Sequence, residues 1–196
     1  TIYIPVIVAL VAGALLLPST TGVVAQPNDD IADGKTVYVG SGDGEIYALN
    51  ASDGTIEWRF ETGGEVGSSP TVVDGIVYVG SGDRKVYALN ASDGTEIWSY
   101  ETQRAVTSSP TVVNDTVYIG DNSGVLALGA SFGFREWHAP MGAPVNRAPT
   151  VVNNTVYAGA NDGRVHALDA SDGSTKWTHV IGDTIDTGPT TTNNID

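Results

Sequence analysis

The 196-residue sequence contains no cysteine and little positive charge. Without cysteine the chain has no disulfide and no thiolate ligand for a metal ion. Asp and Glu number 23 against nine Lys and Arg, which gives a formal net charge of −14. Because proteins that bind nucleic acid need a basic patch to neutralise phosphates, this composition argues against a nucleic-acid partner.

Lysine is especially scarce, with three in the whole sequence. An acidic, lysine-poor chain that is rich in Thr, Val, Gly and Asp is similar to proteins of salt-loving microbes, especially haloarchaea. The physical basis is that concentrated salt screens the self-repulsion of such a charge. An ordinary acidic secreted protein is the alternative interpretation.

The first 28 residues carry no charge, and residues 2–17 are apolar apart from Gly13. This run and the small residues before Gln26 predict a secretory signal peptide over residues 1–25. The same run is long enough to cross a bilayer, so a retained membrane anchor through residues 2–25 is the alternative. Residues 26–34 are interpreted as a polar linker. Both interpretations predict an exported protein, either extracellular or associated with the cell surface.

The dominant feature of the chain is a repeat of about forty residues. Its clearest copies are VYVGSGDGEIYALNASDGTIEW at 37–58 and VYVGSGDRKVYALNASDGTEIW at 77–98. Weaker copies end at Trp137 and Trp177, so that successive tryptophans are 40, 39 and 40 residues apart. A fixed period of this size indicates a repeat architecture.

Each copy predicts four short strands. In the second copy they are residues 70–73, 76–79, 85–89 and 96–101, and Asp-Gly or similar turns separate them. Val, Ile and Tyr favour strands, and Asp-Gly supplies the positive φ of tight hairpins. The inner strands are apolar on both faces, so each sheet must be covered on both sides. The predicted fold is therefore an all-β propeller of four-stranded antiparallel blades, with a solenoid of stacked sheets as the alternative.

The segment ALNASDGTIEW at 48–58 resembles the A-x-D-x-x-T-G-x-x-x-W tryptophan-docking motif of the pyrroloquinoline-quinone (PQQ) type β-propeller repeat. The third copy departs from the motif, with Gly129 and Phe132 at two of its positions. Because the tryptophans recur at one strand position, we interpret them as packing between blades rather than as cofactor-stacking groups. The structural repeat residues predicted in this way are Trp58, Trp98, Trp137 and Trp177, with Gly54, Gly94, Gly133 and Gly173.

Residues 35–196 are predicted to hold about four blades. The first copy lacks an opening strand, whereas the end of the chain resembles an opening strand alone. Either this last strand completes the first blade and closes a four-bladed ring, or the chain is part of the seven- or eight-bladed propeller that the family usually forms. The second interpretation is favoured because the repeat at each end of the sequence is incomplete. The predicted repeats are about 35–62, 68–102, 108–140 and 148–180, with a partial repeat at 187–196.

The sequence predicts no catalytic residue and no metal site. Two of the three histidines, His166 and His179, replace aromatic residues of the other repeats. The Asp-Gly turns lack the spacing of a calcium loop, and no nucleophile elbow or phosphate-binding loop occurs. No cofactor is therefore expected. PQQ with calcium is implied only if the chain is a piece of a quinoprotein dehydrogenase, whose remaining blades would supply the site.

Binding residues are predicted in the loops between the fourth strand of one repeat and the first strand of the next, because these loops differ most. Loops on a rigid scaffold commonly carry recognition. Neutral drift of exposed loops is the alternative, and the third repeat, with its shortened turn at 121–124, is the expected edge of any such site. The candidates are Arg104, Met141, Asn146 and Arg147.

Four Asn-x-Ser/Thr sequons fall in predicted turns, at Asn50, Asn90, Asn114 and Asn153. In an exported protein they are candidate glycosylation sites. Turns favour Asn and Ser in any case, so chance is the alternative.

Together these features predict an exported, non-catalytic β-propeller that binds a protein, peptide or other ligand at the cell surface. The chain resembles the envelope-assembly propellers of the family in lacking catalytic groups. The alternatives are a fragment of a PQQ-dependent quinoprotein dehydrogenase and the sensory ectodomain of a membrane protein.

Overall fold

The structure is a computed structural model that describes residues 35–192. The predicted signal or anchor at 1–25, the linker at 26–34 and the last residues of the partial repeat lie outside the described residues. The described part of the chain contains strands and no helix. The strands are β1 (Thr36–Gly40), β2 (Glu45–Asn50), β3 (Ile56–Glu61), β4 (Thr71–Val73), β5 (Ile76–Gly80), β6 (Lys85–Asn90), β7 (Glu96–Glu101), β8 (Thr111–Val113), β9 (Thr116–Gly120), β10 (Gly124–Gly129), β11 (Arg135–Pro140), β12 (Thr150–Val152), β13 (Thr155–Gly159), β14 (Arg164–Asp169) and β15 (Thr175–Val180).

The strands form four antiparallel sheets in chain order, which we call blades 1 to 4. Blade 1 is three-stranded (β1–β3), and blades 2, 3 and 4 are four-stranded (β4–β7, β8–β11 and β12–β15). Each strand pairs with its neighbours in sequence, so every blade is a meander of hairpins. The predicted all-β architecture is thus confirmed.

Tight turns join the first and second strands of each four-stranded blade. In blade 2 the turn residues Asp74 and Gly75 have φ values of 49° and 75°, and in blade 4 Asn153 and Asn154 have values of 48° and 55°. Two successive positive φ values match the right-handed twist of the flanking strands, and Asn, Asp and Gly adopt them most readily. The turn chemistry of the sequence therefore fixes the register of each hairpin.

A β-bulge lies beside the tryptophan of every blade. In blade 2, Ala88 pairs with Trp98, whereas the next residue, Leu89, pairs with Glu96. Equivalent register shifts occur in blades 1, 3 and 4. A bulge changes the direction of the side chains around it. In blades 1 to 3 it lies beside the tryptophan whose side chain contacts the following blade.

Each tryptophan of blades 1 to 3 binds the turn before the fourth strand of the following blade. The indole Nε1 of Trp98 donates a hydrogen bond to the backbone oxygen of Ala130 at 2.8 Å, and its ring lies against Gly133. A β-carbon at Gly133 would lie 2.6 Å from a ring carbon, so only glycine fits there. Equivalent contacts join Trp58 to Ala91 and Gly94, and Trp137 to Ala170 and Gly173.

The hydrophobic core is divided among the three junctions between blades. One cluster joins blade 1 to blade 2 and includes Ile46 and Leu89, both fully buried. The second joins blades 2 and 3, and the third joins blades 3 and 4. Apolar area is thus removed from water mainly when one blade covers another, which is the main favourable contribution to folding of such a repeat.

The two end blades are less covered than the middle ones. The strand β15 is exposed along its whole length, and Trp177 is 47% exposed, whereas the other three tryptophans are 7–9% exposed. Residues 189–192 form no strand, and within residues 35–192 the strand β1 pairs with β2 alone. The four-bladed closure and the larger propeller that the sequence leaves open both stay predictions.

Candidate functional site

One face of the chain is formed by two kinds of loop, the turn between the second and third strands and the loop that leads to the next blade. Hydrogen bonds between backbone groups hold the two together in each blade. The amide of Val106 donates to the oxygen of Ser81 at 3.0 Å, and that of Val145 donates to the oxygen of Asp121 at 2.9 Å. We call this surface the loop face.

In blade 2 the acidic group of the turn holds neighbouring loops in place. The Asp83 carboxylate accepts hydrogen bonds from the Tyr87 hydroxyl at 2.5 Å and from the Gly63 amide, in the loop after blade 1, at 2.8 Å. Burial raises the pKa of Asp83, but these hydrogen bonds outweigh it and the pKa is lowered. Burial and the Asp83 carboxylate raise the pKa of Tyr87. The Asp83 carboxylate thus has a structural role, because it joins the turn of blade 2 to the loop after blade 1.

Blade 3 replaces this arrangement with a different set of polar groups. Its turn is one residue shorter, and Leu126 stands at the position of Tyr87. Asp121, Ser123 and His138 form what we call the blade 3 polar cluster. The Asp121 carboxylate accepts from the Ser123 hydroxyl and amide, both at 2.7 Å, and the same hydroxyl lies 3.1 Å from His138 Nε2.

The Asp121 carboxylate is buried and strongly acidic. Burial raises its pKa, but the nearby His138 imidazole and the hydrogen bonds from Ser123 outweigh that effect and lower the pKa to about 2. His138 Nε2 also lies 3.8 Å from the carboxylate. The Ser123 hydroxyl donates its one proton to Asp121, so towards His138 it acts as the acceptor. We therefore assign a proton to His138 Nε2.

The blade 3 polar cluster lines a cleft of about 210 Å³ between blades 2 and 3. Blade 3 contributes acidic, basic and hydroxyl groups, and the end of β7 with the following loop forms the opposite wall. The cleft thus combines a buried charged group with exposed polar residues at its rim, an arrangement suited to binding a polar side chain. The lining residues are Tyr100, Glu101, Thr102, Gln103, Asp121, Ser123, Leu126, Arg135 and His138.

The four binding residues predicted from the sequence lie in two loops, Arg104 after blade 2 and the other three after blade 3. Arg104 is exposed in the loop after blade 2, where its backbone oxygen accepts a hydrogen bond from Thr102 Oγ1. Met141 is partly buried against the core between blades 3 and 4. Asn146 is half-buried and Arg147 is exposed in the loop after blade 3. None of the four lines the cleft.

Sequence reasoning singled out the short turn at 121–124 but not the cluster itself. The available signal was positional, because Asp121 stands where Ser41 and Ser81 stand in the first two blades. His138 likewise stands at the strand position of Arg59 and Ser99. Neither substitution would be recognised as part of a site without the strand pairing.

Of the four sequon asparagines, Asn114 and Asn153 lie in turns, and Asn50 and Asn90 end strands β2 and β6. Asn114 and Asn153 are exposed, whereas Asn50 and Asn90 are half-buried and accept hydrogen bonds from the amides of Ser52 and Ser92. Glycosylation of these residues remains a prediction.

Metal and membrane features were also considered for residues 35–192. This part of the chain has no group of three or more His, Asp or Glu that is arranged to hold a metal ion. None of its elements is a helix of the length and hydropathy needed to cross a membrane.

The family described as outer membrane protein assembly factor BamB, a PQQ-repeat family, matches residues 18–144 and 102–191. The chain belongs to this family. BamB of Salmonella typhimurium is 52% identical to it over 42 residues, which are 21% of this chain and 11% of that protein. This confirms the resemblance to the PQQ-type repeat.

Solved structures of the family share the fold. The BamB structure from Moraxella catarrhalis matches with a TM-score of 0.64 and 25% identity, over 76% of this chain and 50% of that chain. The quinohemoprotein alcohol dehydrogenase ADHIIG from Pseudomonas putida HK5 matches with a TM-score of 0.67 and 21% identity, over 76% of this chain and 33% of that one. The predicted β-propeller class is confirmed, and the chain spans half or less of the length of these relatives.

The blade 3 polar cluster makes a prediction about pH. Because the pKa of Asp121 falls from 3.8 to about 2 on folding, its ionised form stabilises the fold above pH 3.8, and this contribution is lost as the pH falls through 2. We expect Asp121→Ser, which restores the residue of blades 1 and 2, to unfold more easily than wild type at pH 6. Urea unfolding of both proteins from pH 6 to pH 2 should show this difference shrinking. A difference that stays constant with pH would contradict the assignment.

Proposed function

We propose that this chain is an exported, non-catalytic scaffold that binds a protein or peptide partner at its loop face. The observation that carries the proposal is the cleft between blades 2 and 3. It is the place where the repeated Tyr–Asp arrangement of the turns is replaced by a buried carboxylate, a histidine and a serine. The family name of the relatives, outer membrane protein assembly factor, supports a protein partner.

The size of the cleft supports a side chain as the bound group. Pockets for small molecules and cofactors usually enclose about 300–1,000 Å³, whereas this cleft measures about 210 Å³. Its rim residues Glu101, Gln103 and Arg135 are exposed. A polar, solvent-accessible rim is also found around protein interfaces. We therefore infer that one polar side chain of the partner enters the cleft while the rim contacts its surroundings.

Two alternatives follow from other features. The fold shared with a quinohemoprotein alcohol dehydrogenase favours a piece of a PQQ-dependent enzyme, in which blades other than these would hold quinone and calcium. A retained anchor at 2–25 would favour a sensory ectodomain. In both alternatives the cleft is still available for a partner. They differ from the proposal because they add a dehydrogenase activity or a sensory role.

Site-specific photo-cross-linking in producing cells tests the proposal. Gln103 and Glu96 lie near opposite ends of β7, and both are exposed. We expect a photoreactive phenylalanine analogue at Gln103 to give a discrete protein adduct, and the same residue at Glu96 to give none. Adding Asp121→Ser to the Gln103 variant should reduce the adduct at least several-fold.

The opposite result is equally specific. Equal adducts from both positions, or an adduct from Gln103 that Asp121→Ser leaves unchanged, would contradict binding in the cleft. The dehydrogenase alternative predicts that PQQ with Ca²⁺ raises the melting temperature of the longer protein that includes the other blades, and that this protein gives dye-linked alcohol oxidation. The scaffold proposal predicts neither effect.

A further inference from the structure

The surface opposite the loop face is formed by the other two kinds of turn, which join the first strand to the second and the third strand to the fourth. A backbone hydrogen bond holds these two turns together in each four-stranded blade. In blade 3 the amide of Ala130 donates to the oxygen of Asp115 at 2.8 Å. We call this surface the turn face. Blades 2 and 4 flank blade 3 and are both described, so the turn face of blade 3 lies between two structured blades.

The turn before the fourth strand of blade 3 exposes two aromatic side chains. Phe132 is 73% exposed and Phe134 is 75% exposed, and their ring centres lie 6.3 Å apart. The turns of the other three blades have Asp and then Thr or Ser at these positions. There the carboxylate accepts a hydrogen bond from the backbone, as Asp93 does from the Thr95 amide at 2.9 Å. Blade 3 therefore lacks a hydrogen bond that stabilises such a turn, and it presents apolar surface to water instead.

A cleft of about 290 Å³ lies beside this aromatic turn, between blades 2 and 3. We call it the turn-face cleft. Its walls include Val73, Ile76 and Val112, which are apolar and partly buried. Ser131, the residue before Phe132, also lines it, so the two phenylalanines belong to a turn that forms part of the cleft wall.

Two exposed carboxylates line the turn-face cleft, Asp74 from blade 2 and Asp115 from blade 3. Both lie near the Tyr78 hydroxyl, because burial raises the pKa of Tyr78 most and the charges of Asp115 and Asp74 raise it further. Asp115 also accepts a hydrogen bond from the Ser131 hydroxyl at 3.1 Å. Within residues 35–192 neither carboxylate forms an ion pair. The cleft thus combines apolar walls with two negative charges that no described cation neutralises.

This combination occurs at one of the three junctions between described blades. Gly75 stands at the position of Asp115 where blade 1 meets blade 2, and Asn154 stands there where blade 3 meets blade 4. The turns before the fourth strands of blades 2 and 4 have no aromatic residue. Because those junctions form the same fold, the carboxylate pair and the two phenylalanines are not required by the repeat.

We propose that the turn face of blades 2 and 3 binds a basic segment of a partner protein, in which apolar residues flank a lysine or arginine. The apolar stem of that cation lies along the walls of the turn-face cleft, and its charged end reaches Asp74 and Asp115. The flanking apolar residues pack on the rings of Phe132 and Phe134, since aromatic side chains are enriched at protein interfaces.

Charge decides the kind of partner. The net charge of −14 attracts a basic segment and repels both an acidic one and an anionic lipid surface. The turn face lies at the opposite ends of the strands from the blade 3 polar cluster. It is therefore a second binding surface, and it does not depend on the partner proposed for the loop face.

Two labelled peptides of equal length test the proposal by fluorescence anisotropy with the full chain. Each peptide has a leucine on either side of a central residue in an otherwise Gly-Ser sequence, and the central residue is lysine in one and glutamate in the other. We expect the lysine peptide to bind at least tenfold more tightly at about 0.15 M salt, where long-range charge effects are screened. Failure of the lysine peptide to bind, or equal binding of the two peptides, would overturn the proposal.

A charge variant tests the role of the carboxylates. Asp74→Asn combined with Asp115→Asn removes both charges and suits the turns, because blade 4 has Asn at both turn positions with φ values of 48° and 55°. We expect it to bind the lysine peptide at least fivefold more weakly than wild type. Glu61→Gln combined with Glu65→Gln is the matched control, since it removes two exposed charges at and after the end of β3. An equal loss from both double variants would contradict binding in the turn-face cleft.

An aromatic variant tests the role of the phenylalanines. Phe132→Asp combined with Phe134→Thr restores the Ser-Asp-Gly-Thr sequence of the blade 2 turn, so we expect the fold to be retained. It should weaken binding of the lysine peptide at least fivefold, although it adds a negative charge. Unchanged binding would overturn the proposal. Binding of the full chain to phosphatidylcholine vesicles that this variant abolishes, without binding of the lysine peptide, would assign the surface to a membrane and would also overturn it.

Discussion

Replacing Trp98 with alanine is expected to lower the free energy of unfolding by about 3–5 kcal/mol, the usual cost of removing a buried large aromatic side chain. The ring is 9% exposed, contacts Tyr78 and Gly133, and donates a hydrogen bond to the Ala130 oxygen. The substitution therefore leaves a cavity at the junction of blades 2 and 3 and removes one of the two hydrogen bonds that the Ala130 oxygen accepts, the other coming from the Tyr78 hydroxyl. Urea unfolding followed by circular dichroism measures the loss.

The chain contains its own control for this prediction. Trp177 occupies the same strand position in blade 4 but is 47% exposed, with no following blade among the described residues. We expect Trp177→Ala to cost about 0.5–1 kcal/mol. Equal losses for the two variants would mean that the indole stabilises its own blade rather than the junction.

The second large effect on the free energy of unfolding is expected when a glycine in the turn before the fourth strand is replaced by alanine, which adds a single methyl group. Gly54→Ala and Gly94→Ala place alanine at the same φ of 72°, in turns of identical sequence. Both substitutions pay the cost of a left-handed alanine, about 1–2 kcal/mol. The new β-carbon at Gly94 would also lie 2.6 Å from the Trp58 ring, whereas no atom lies within 4 Å at Gly54. Overpacking should add about 1–3 kcal/mol at Gly94 alone.

A double-mutant cycle checks the cause of that difference. Combining Gly94→Ala with Trp58→Ala removes the ring that the new methyl group would contact. The extra cost of Gly94→Ala over Gly54→Ala should then disappear, because the coupling between two contacting residues is what such a cycle measures. If the extra cost persists without the indole, it arises within the turn, and the interpretation of the junction is wrong.

Most of the fold was predictable because the same pattern of strands and turns recurs in each repeat of the sequence. The alternation of β-branched strands with Asp-Gly turns gave the strands of blade 2 to within one residue at each end, for example 76–79 against the observed Ile76–Gly80. The register shift beside each tryptophan was not predicted, because a bulge adds no residue type that distinguishes it from an ordinary pair. The strand pairing was needed to find it.

The candidate site was much less predictable than the fold. Loop variability selected Arg104 and Arg147, which are exposed and apart from the cleft, and Met141, which packs against the core. The cleft depends instead on Asp121 and His138, which are 17 residues apart in the chain and are brought together because β10 pairs with both β9 and β11. A contact of this kind depends on cross-strand neighbours, and these have no signature in the order of residues.

The tryptophan junction has a consequence for how genes of this kind change. The turn that contacts the indole contributes only a backbone oxygen and a glycine. Any blade that keeps this turn therefore accepts the tryptophan of any other blade. Recombination that adds or deletes a whole repeat of about forty residues therefore leaves every remaining junction chemically intact. Lineages can alter the number of blades by such exchanges without first evolving a new contact, and the near-identical copies at 37–58 and 77–98 have the form that a recent duplication would leave.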